Sequence, residues 1–247
     1  MSPFSLLNKT ILVTGATAGI GRAIAVECSR AGAKLIITGR NEERLKETLE
    51  MLAGEGHLFI GADLTVSSDL DKLVELVPKL DGLVNNAGIA KPLVLQFTEK
   101  DDVDEVLGIN ALAPINLTRL IVQQKKLNKG ASLVFISSIN GNNCAYIGSS
   151  VYAASKGAVT AFMKAVALEL APRGIRANAI HPGMIETDLL QSGTIGNEQL
   201  EADRQKYPLK RYGKPEEVAY AAVYLLSDAT QWMTGSSLLI DGGYTLQ

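Results

Sequence analysis

The chain has 247 residues, 47% of them hydrophobic and 20% charged, the balance of one globular domain large enough to bury a core without disulfide or metal staples. Its 24 basic and 26 acidic residues leave a net charge of −2, so it lacks the basic footprint of a nucleic-acid binder. Two cysteines (Cys28 and Cys144) and two distant histidines (His57 and His181) exclude a disulfide scaffold, offer no zinc spacing, and fit a reducing, cytoplasmic setting.

Thr10 to Thr14 reads as a short buried strand closed by Gly15. A helix is expected from about Gly19 to Ala31, with Gly32 as its stop. Lys34 to Gly39 is a second strand, Asn41 to Met51 a second helix, and Leu58 to Gly61 a third strand. Ser67 or Ser68 is positioned to cap a third helix running to Val77. A fourth strand begins at Leu83-Val84 and ends in Asn85-Asn86-Ala87-Gly88. A long helical pattern covers Asp102 to Lys126, with a bend expected near Pro114. Ser132 to Ser137 is the fifth strand, Val151 to Leu170 a helix, and Arg176 to Ile180 the sixth strand, stopped by Pro182-Gly183. Pro215 to Leu226 is the last helix, with proline at a favoured first position, and Ser237 to Ile240 the seventh strand. Alternating strand and helix with continuous apolar strands predicts one parallel sheet covered on both faces. Residues 187–210 are the least patterned and read as a mobile segment over the site. No apolar run approaches the ~18–20 residues of a membrane span, and Met1 to Lys9 is too short and mixed for a signal peptide.

Gly15, Gly19 and Gly21 stand between the first strand and the first helix, where glycines let the backbone approach a pyrophosphate and the helix start attracts its charge. The spacing, Gly-x3-Gly-x-Gly, departs from G-x-G-x-x-G. An acid ending the second strand would hold the ribose 2′-hydroxyl of NAD; the chain instead has Gly39, Arg40 and Asn41, and a guanidinium matches a 2′-phosphate. NADP(H) is therefore the expected dinucleotide, with NAD(H) as the alternative. Asp63 and Leu64 after the third strand, and the Asn85–Gly88 turn after the fourth, lie at strand carboxyl ends, where open α/β sheets bind ligands. Tyr152 and Lys156 sit one helical turn apart, and a nearby ammonium favours a phenolate, so Lys156 is expected to depress the Tyr152 pKa. Ser137 and Ser138 end the preceding strand, and alternation allows only one of them to face that helix.

Together TGATAGIG at 14–21, NNAG at 85–88, Asn110, Ser138 in SSING, YAASK at 152–156 and HPGMIET at 181–187 resemble the short-chain dehydrogenase/reductase family, over about Lys9 to Tyr244. The resemblance implies a Rossmann-like, doubly wound, three-layer α/β/α domain with a parallel seven-stranded sheet. It implies an oxidoreductase that moves hydride between a nicotinamide and a carbonyl or secondary alcohol. Tyr152 would be the acid/base, Lys156 would hold the nicotinamide ribose, Ser138 would bind the substrate oxygen, and Asn110 would support a proton relay. The dinucleotide would contact Gly15, Thr17, Ala18, Gly19, Ile20 and Gly21, then Arg40, Asn41, Asp63 and Leu64. Asn86, Ala87 and Gly88 follow, then Pro182, Gly183, Ile185 and Thr187 at the nicotinamide. Ala18 stands where many NADP-preferring members carry a second basic residue, which implies a weaker NADP(H) preference.

Asn140, Cys144, Tyr146, Met184 and Leu189 are the expected substrate contacts besides Ser138 and Tyr152, a moderately apolar set that names no single ketone. The PGMIETDLL run resembles 3-oxoacyl-acyl-carrier-protein reductases, and Lys129 and Arg173 fall where those enzymes place basic residues against a carrier protein. Partners implied are a carbonyl or alcohol, a carrier thioester among the alternatives, and further copies of the chain in a homodimer or homotetramer; neither nucleic acid nor membrane is expected. Rival readings are a non-catalytic NADP(H)-sensing regulator, a sugar or steroid alcohol dehydrogenase, and a nucleotide-sugar epimerase, for which the chain after the sixth strand is too short.

Overall fold

A computed structural model describes residues 2–187 and 197–246. Seven strands form one parallel sheet in the order β3-β2-β1-β4-β5-β6-β7. They are β1 (Thr10–Thr14), β2 (Lys34–Gly39), β3 (Leu58–Gly61), β4 (Leu80–Asn85), β5 (Leu127–Ile136), β6 (Arg176–Pro182) and β7 (Ser237–Ile240). Alternate side chains of each strand feed two cores, as the pleat requires. Leu12, Leu83, Leu133 and Phe135 face one side, and Ile11, Val13, Val84, Val134 and Ile136 the other.

The second face is covered by α1 (Gly19–Arg30), α2 (Glu42–Glu50) and, pressed against α1, a helix at Pro215–Leu226. The first carries α3 (Ser67–Leu76), α4 (Lys100–Leu107), α5 (Ala113–Gln123) and α6 (Ser150–Leu170). The chain winds outward through β1, β2 and β3, then returns to place β4 on the other flank of β1. That reversal opens a crevice at the carboxyl ends of β1 and β4.

Several boundaries differ from the sequence reading, each for a local reason. Strand β4 starts at Leu80 and β5 at Leu127, because their pairing is irregular between Leu80 and Gly82. Val66, not a serine, occupies the N-cap of α3, and no side chain caps that helix. The expected bend near Pro114 is a π turn at Gly108–Leu112, joining α4 and α5. Proline has no N–H to give the carbonyl four residues back, so Asn110 loses its α-helical donor. The merged run Lys100–Gln123 is long and apolar enough to cross a membrane by length and composition, yet Val106, Ala111, Ala113, Leu117 and Ile121 are packed in the core. Within 187–210, α7 (Asn197–Arg204) is formed, and buried Tyr207 and Tyr212 follow it. Pro215–Leu226 is hereafter α8.

Candidate active site

The glycine turn after β1 is pinned from three sides. Thr14 Oγ1 accepts N–H bonds from Asn86 (2.9 Å) and Ala87 (3.0 Å), and Asn86 Nδ2 donates to Thr14 O (2.9 Å). The Thr48 hydroxyl donates to Ala16 O at 2.8 Å, and Arg22 to Thr17 O at 2.6 Å. Gly15 has φ +65°, and a Cβ there would meet the Ala87 Cα at 2.8 Å; one on Gly21 would meet Gly15 O at 2.2 Å. Ala18 is the N-cap of α1 and supplies no side-chain bond, so the helix opens on free N–H groups. A backbone cradle that only glycine fits, at an uncapped helix start, suits the pyrophosphate of a dinucleotide. Ile20 lies at the edge of the second core, and Thr187 stands over Gly19, where a Cβ would meet its Cγ2 at 3.2 Å.

Arg40 is exposed and makes no ion pair or hydrogen bond among the described residues. A Cβ on Gly39 would lie 2.7 Å from Thr17 Cγ2, so an acid at 39 needs Thr17 to move. Asn41 caps α2, its Oδ1 accepting the Arg44 N–H at 3.0 Å, which ties its carbonyl oxygen to the helix. Asp63 Oδ1 accepts from Thr65 N (2.9 Å) and Thr65 Oγ1 (2.7 Å). Burial alone would raise this carboxyl, but the Thr65 bonds and the Arg40 charge hold it below the usual carboxylate range. Leu64 is buried core.

Asn110 is buried in the π turn with both ends of its amide used: Oδ1 accepts Ile89 N (2.8 Å), and Nδ2 donates to Ile89 O (2.9 Å) and Ser155 Oγ (3.1 Å). Gly88 separates it from Lys156; a Cβ there would sit 3.1 Å from Asn110 Oδ1 and 3.4 Å from Lys156 Nζ. Lys156 is 5% exposed, has no carboxylate partner among the described residues, and donates to Ile136 O at 2.9 Å. Burial pushes its pKa down to about 8.

Of the two serines, Ser137 turns into α6, within 3.0 Å of Lys156 O and 2.9 Å of Thr160 Oγ1. Ser138 Oγ takes the Asn140 N–H at 3.1 Å and faces the Tyr152 phenol closely enough to lower its pKa. The Tyr152 phenol does not behave as expected from its neighbour alone. Burial pushes it up to about 12, the Ser138 hydroxyl offsets this only in part, and Tyr146 adds to the rise. The reason is distance and desolvation: Lys156 Nζ lies 5.8 Å from the Tyr152 ring centre and is itself buried.

At the carboxyl end of β6, Gly183 N–H bonds Ile240 O (2.9 Å), and Pro182 O accepts Ile139 N–H (3.1 Å). Ile185 bridges Gly213 in parallel: Glu186 N–H bonds Gly213 O at 2.8 Å and Gly213 N–H bonds Met184 O at 3.0 Å. In such a bridge the N–H and C=O of Ile185 point the other way, and neither has a partner among the described residues.

The substrate contacts are only partly brought together. Half-exposed Tyr146 lies near Tyr152 with half-buried Cys144 beside it, and burial raises the pKa values of Cys144 and Tyr146. Asn140 is 1% exposed, with Ser149 Oγ at 3.3 Å from Oδ1 and no partner for Nδ2 among the described residues. It is closed in beneath the loop and does not line an open cleft. The Met184 N–H bonds the Tyr207 hydroxyl at 3.1 Å. Leu189 lies outside the described residues. Lys129 and Arg173 belong to the opposite, amino-terminal edge of the sheet, where Arg173 donates to Leu127 O (3.0 Å). Sequence reasoning missed Tyr207, Tyr212 and Tyr244, whose rings contact one another at 5.5 Å and 4.8 Å between centres. Their clustering joins distant segments and leaves no local pattern.

A family model described as Enoyl-(Acyl carrier protein) reductase matches residues 15–245. The chain is 37% identical over 238 residues to the 3-oxoacyl-(acyl-carrier-protein) reductase FabG of Rickettsia felis, covering 96% of this chain and 97% of the relative. It is 35% identical over 254 residues to the NADP-dependent (R)-specific alcohol dehydrogenase of Lentilactobacillus kefiri, with 98% of each covered. Among solved structures, a mutant short-chain dehydrogenase/reductase of Serratia marcescens superposes with a TM-score of 0.90 at 30% identity, over 97% of this chain and 99% of that one.

Proposed function

The chain belongs to the short-chain dehydrogenase/reductase family and is an NAD(P)-binding oxidoreductase, and from that premise we propose that it reversibly reduces a carbonyl to a secondary alcohol with NADP(H), Tyr152 being the acid/base. The observation that carries the reading is the Tyr152 phenol facing Ser138, one helical turn from the buried Lys156 ammonium, at the carboxyl edge of the sheet.

When bound, the nicotinamide supplies the hydride, and the protein supplies position and a proton. Neutral Tyr152, held up near 12, is in the form that gives a proton to a carbonyl oxygen. Ser138 has one lone pair filled by the Asn140 N–H, so its own proton is free for the substrate oxygen. Lys156 stays cationic at neutral pH and spends one N–H on Ile136 O, leaving two for ribose hydroxyls. Asn110 braces the chain beside Lys156, and its carbonyl, freed by Pro114, supports the proton relay. The N–H and C=O of Ile185, unpaired among the described residues, hold the carboxamide with Thr187. The glycine turn takes the pyrophosphate, Arg40 the 2′-phosphate, and Asp63 the adenine amino group.

The similarity to FabG and the apolar Cys144–Met184 surroundings support an acyl thioester or a related ketone as substrate. Lys129 and Arg173 sit too far from this chain's own site to guide a carrier into it. Exposed Leu168 on α6 and Tyr220 and Trp232 around α8 support a homodimer or homotetramer. NADPH oxidation across acyl-thioester, sugar, diketone and steroid carbonyls tests the activity. Tyr152→Phe should abolish turnover while NADPH still binds; turnover near the wild-type rate in that variant would refute the assignment.

A further inference from the structure

Beneath the reactive pair runs a chain of hydrogen bonds that the proton transfer does not use. Loop 139–144, between β5 and α6, is wound around one acceptor. The Ile139 carbonyl takes N–H bonds from Asn142 (3.3 Å), Asn143 (2.8 Å) and Cys144 (3.1 Å). Gly141, at φ +86°, lies flush on the start of α6, where a Cβ would meet Ala153 O at 2.1 Å.

Two side chains tie this loop to the body of the fold. Asn142 Nδ2 donates to Ser138 O (3.1 Å) and Ser137 Oγ (3.3 Å). Asn143 Oδ1 lies 3.2 Å from His181 Nδ1. His181, 3% exposed near the end of β6, makes its second ring contact with Thr160 Oγ1 at 3.2 Å. Thr160 in turn lies 2.9 Å from Ser137 Oγ. An amide oxygen only accepts, so Nδ1 carries the ring proton and Nε2 accepts from Thr160. Thr160 then spends its proton on His181, and the Ser137 proton lies between Thr160 Oγ1 (2.9 Å) and Lys156 O (3.0 Å), so the contacts run from Asn142 through Ser137, Thr160 and His181 to Asn143 and close on the loop where they began. Burial and the Lys164 charge hold His181 down to about 4, which keeps the ring neutral at physiological pH.

We infer that His181 is a positioning residue: through Asn143 it fixes loop 139–144, and through that loop it sets the direction of the Ser138 hydroxyl. The last link is the Asn140 N–H on Ser138 Oγ. While it holds, the Ser138 proton is left facing Tyr152 and the substrate oxygen. When the loop lifts, that N–H leaves and the hydroxyl is free to turn. The kinetic readout rests on the reductase reading; the His181–Asn143 tie does not.

Three substitutions separate this role from simple packing. His181→Asn keeps an N–H donor near the Nδ1 position, whereas His181→Gln keeps an acceptor for Thr160 and loses that donor. His181→Ala and His181→Gln should lose kcat by about tenfold to a hundredfold, the range that a displacement of order 1 Å costs. The dissociation constant for NADPH should be unchanged, and His181→Asn should keep most of kcat. Asn143→Ala, an exposed loop change, should reproduce the His181→Gln loss even where the histidine variants fold poorly. Equal kcat in His181→Asn and His181→Gln, or wild-type kcat in Asn143→Ala, overturns the inference. Should the wild type reduce no carbonyl, the reductase reading fails, and the tie is then read by amide hydrogen exchange at residues 142–144. Faster exchange in His181→Gln supports it, and unchanged exchange overturns it.

Discussion

Lys156 should weaken the fold that holds it. The amine is buried without a carboxylate among the described residues, and its pKa falls from 10.5 to about 8. At about 1.36 kcal/mol for each tenfold change in proton affinity, that fall is a penalty on the order of 3 kcal/mol at pH 7. Lys156→Met removes the charge but also the Nζ bond to Ile136 O at 2.9 Å, and an unpaired buried acceptor costs roughly 1–3 kcal/mol. The net expectation is a protein equally stable or more stable by up to about 2 kcal/mol, and inactive. The pH dependence isolates the charge. Between about 8 and 10.5 the unfolded lysine binds the proton that the folded one has released, so wild-type stability rises with pH across that window. Urea midpoints of wild type and Lys156→Met, taken at neutral pH and again in the middle of that window, should show the wild type gaining on the variant by roughly 1.5 kcal/mol as pH rises, with unchanged m-values. Parallel curves, or a variant several kcal/mol less stable at pH 7, would show that Lys156 is compensated by something other than burial allows.

Arg40→Ala should lower kcat/KM for NADPH by about tenfold to a hundredfold, the worth of charge-assisted hydrogen bonds, and spare NADH; equal effects on both would remove Arg40 from the 2′-phosphate. Ser138→Ala should lower kcat by roughly a hundredfold or more at unchanged melting temperature. Ser137→Ala should do the reverse, losing about 1–3 kcal/mol of stability because Thr160 and the loop amide lose their partner. A swap of those two outcomes in paired melting and rate assays would mean that the serines are assigned the wrong way round. Asn110→Ala leaves both polar groups of Ile89 unpaired, so the melting temperature and NADPH affinity should fall together; a loss of kcat alone would count against the bracing role.

Much of the fold was legible because a parallel sheet buries both faces of its strands. The apolar runs at Thr10–Thr14 and Lys34–Gly39 stand out whatever packs on them. Strand β5 was read late, since Asn128, Lys129 and Gly130 look like a loop, yet its pairing begins at Leu127. The π turn hid inside a helical period, although Pro114 marked it four residues ahead. At the site, i,i+4 spacing was enough to put Tyr152 and Lys156 on one face, and strand alternation was enough to predict that the two serines diverge. Spacing carries no information on desolvation, so the sign of the Tyr152 pKa was misread. Nor does it report non-local closure, which is why the buried Asn140 was taken for a lining residue and the His181 circuit was not foreseen.

Several departures from local rule lie together at one edge of the sheet. Gly15, Gly19 and Gly141 at positive φ, the uncapped start of α1, the π turn at Asn110 and the buried amine of Lys156 all lie toward strand carboxyl ends. The amino-terminal edge has positive-φ positions of its own, Asn8, Gly32 and Lys125 among them, but there His57 has both ring nitrogens bonded and Arg173 is spent on a strand carbonyl. Marginal stability leaves little room for such costs unless they are offset elsewhere, and here the offset is the two continuous cores beneath. Among the described residues, the unmet polarity at the carboxyl edge is of the kind an anionic, hydroxyl-rich ligand would satisfy: free N–H groups for phosphate, ammonium protons for hydroxyls, the Ile185 amide for a carboxamide. A non-catalytic sensor of the same dinucleotide would need the first two of these features and the third. It would have no use for a neutral phenol set facing a serine with one lone pair already filled, and that juxtaposition is what weighs the site toward chemistry rather than binding alone.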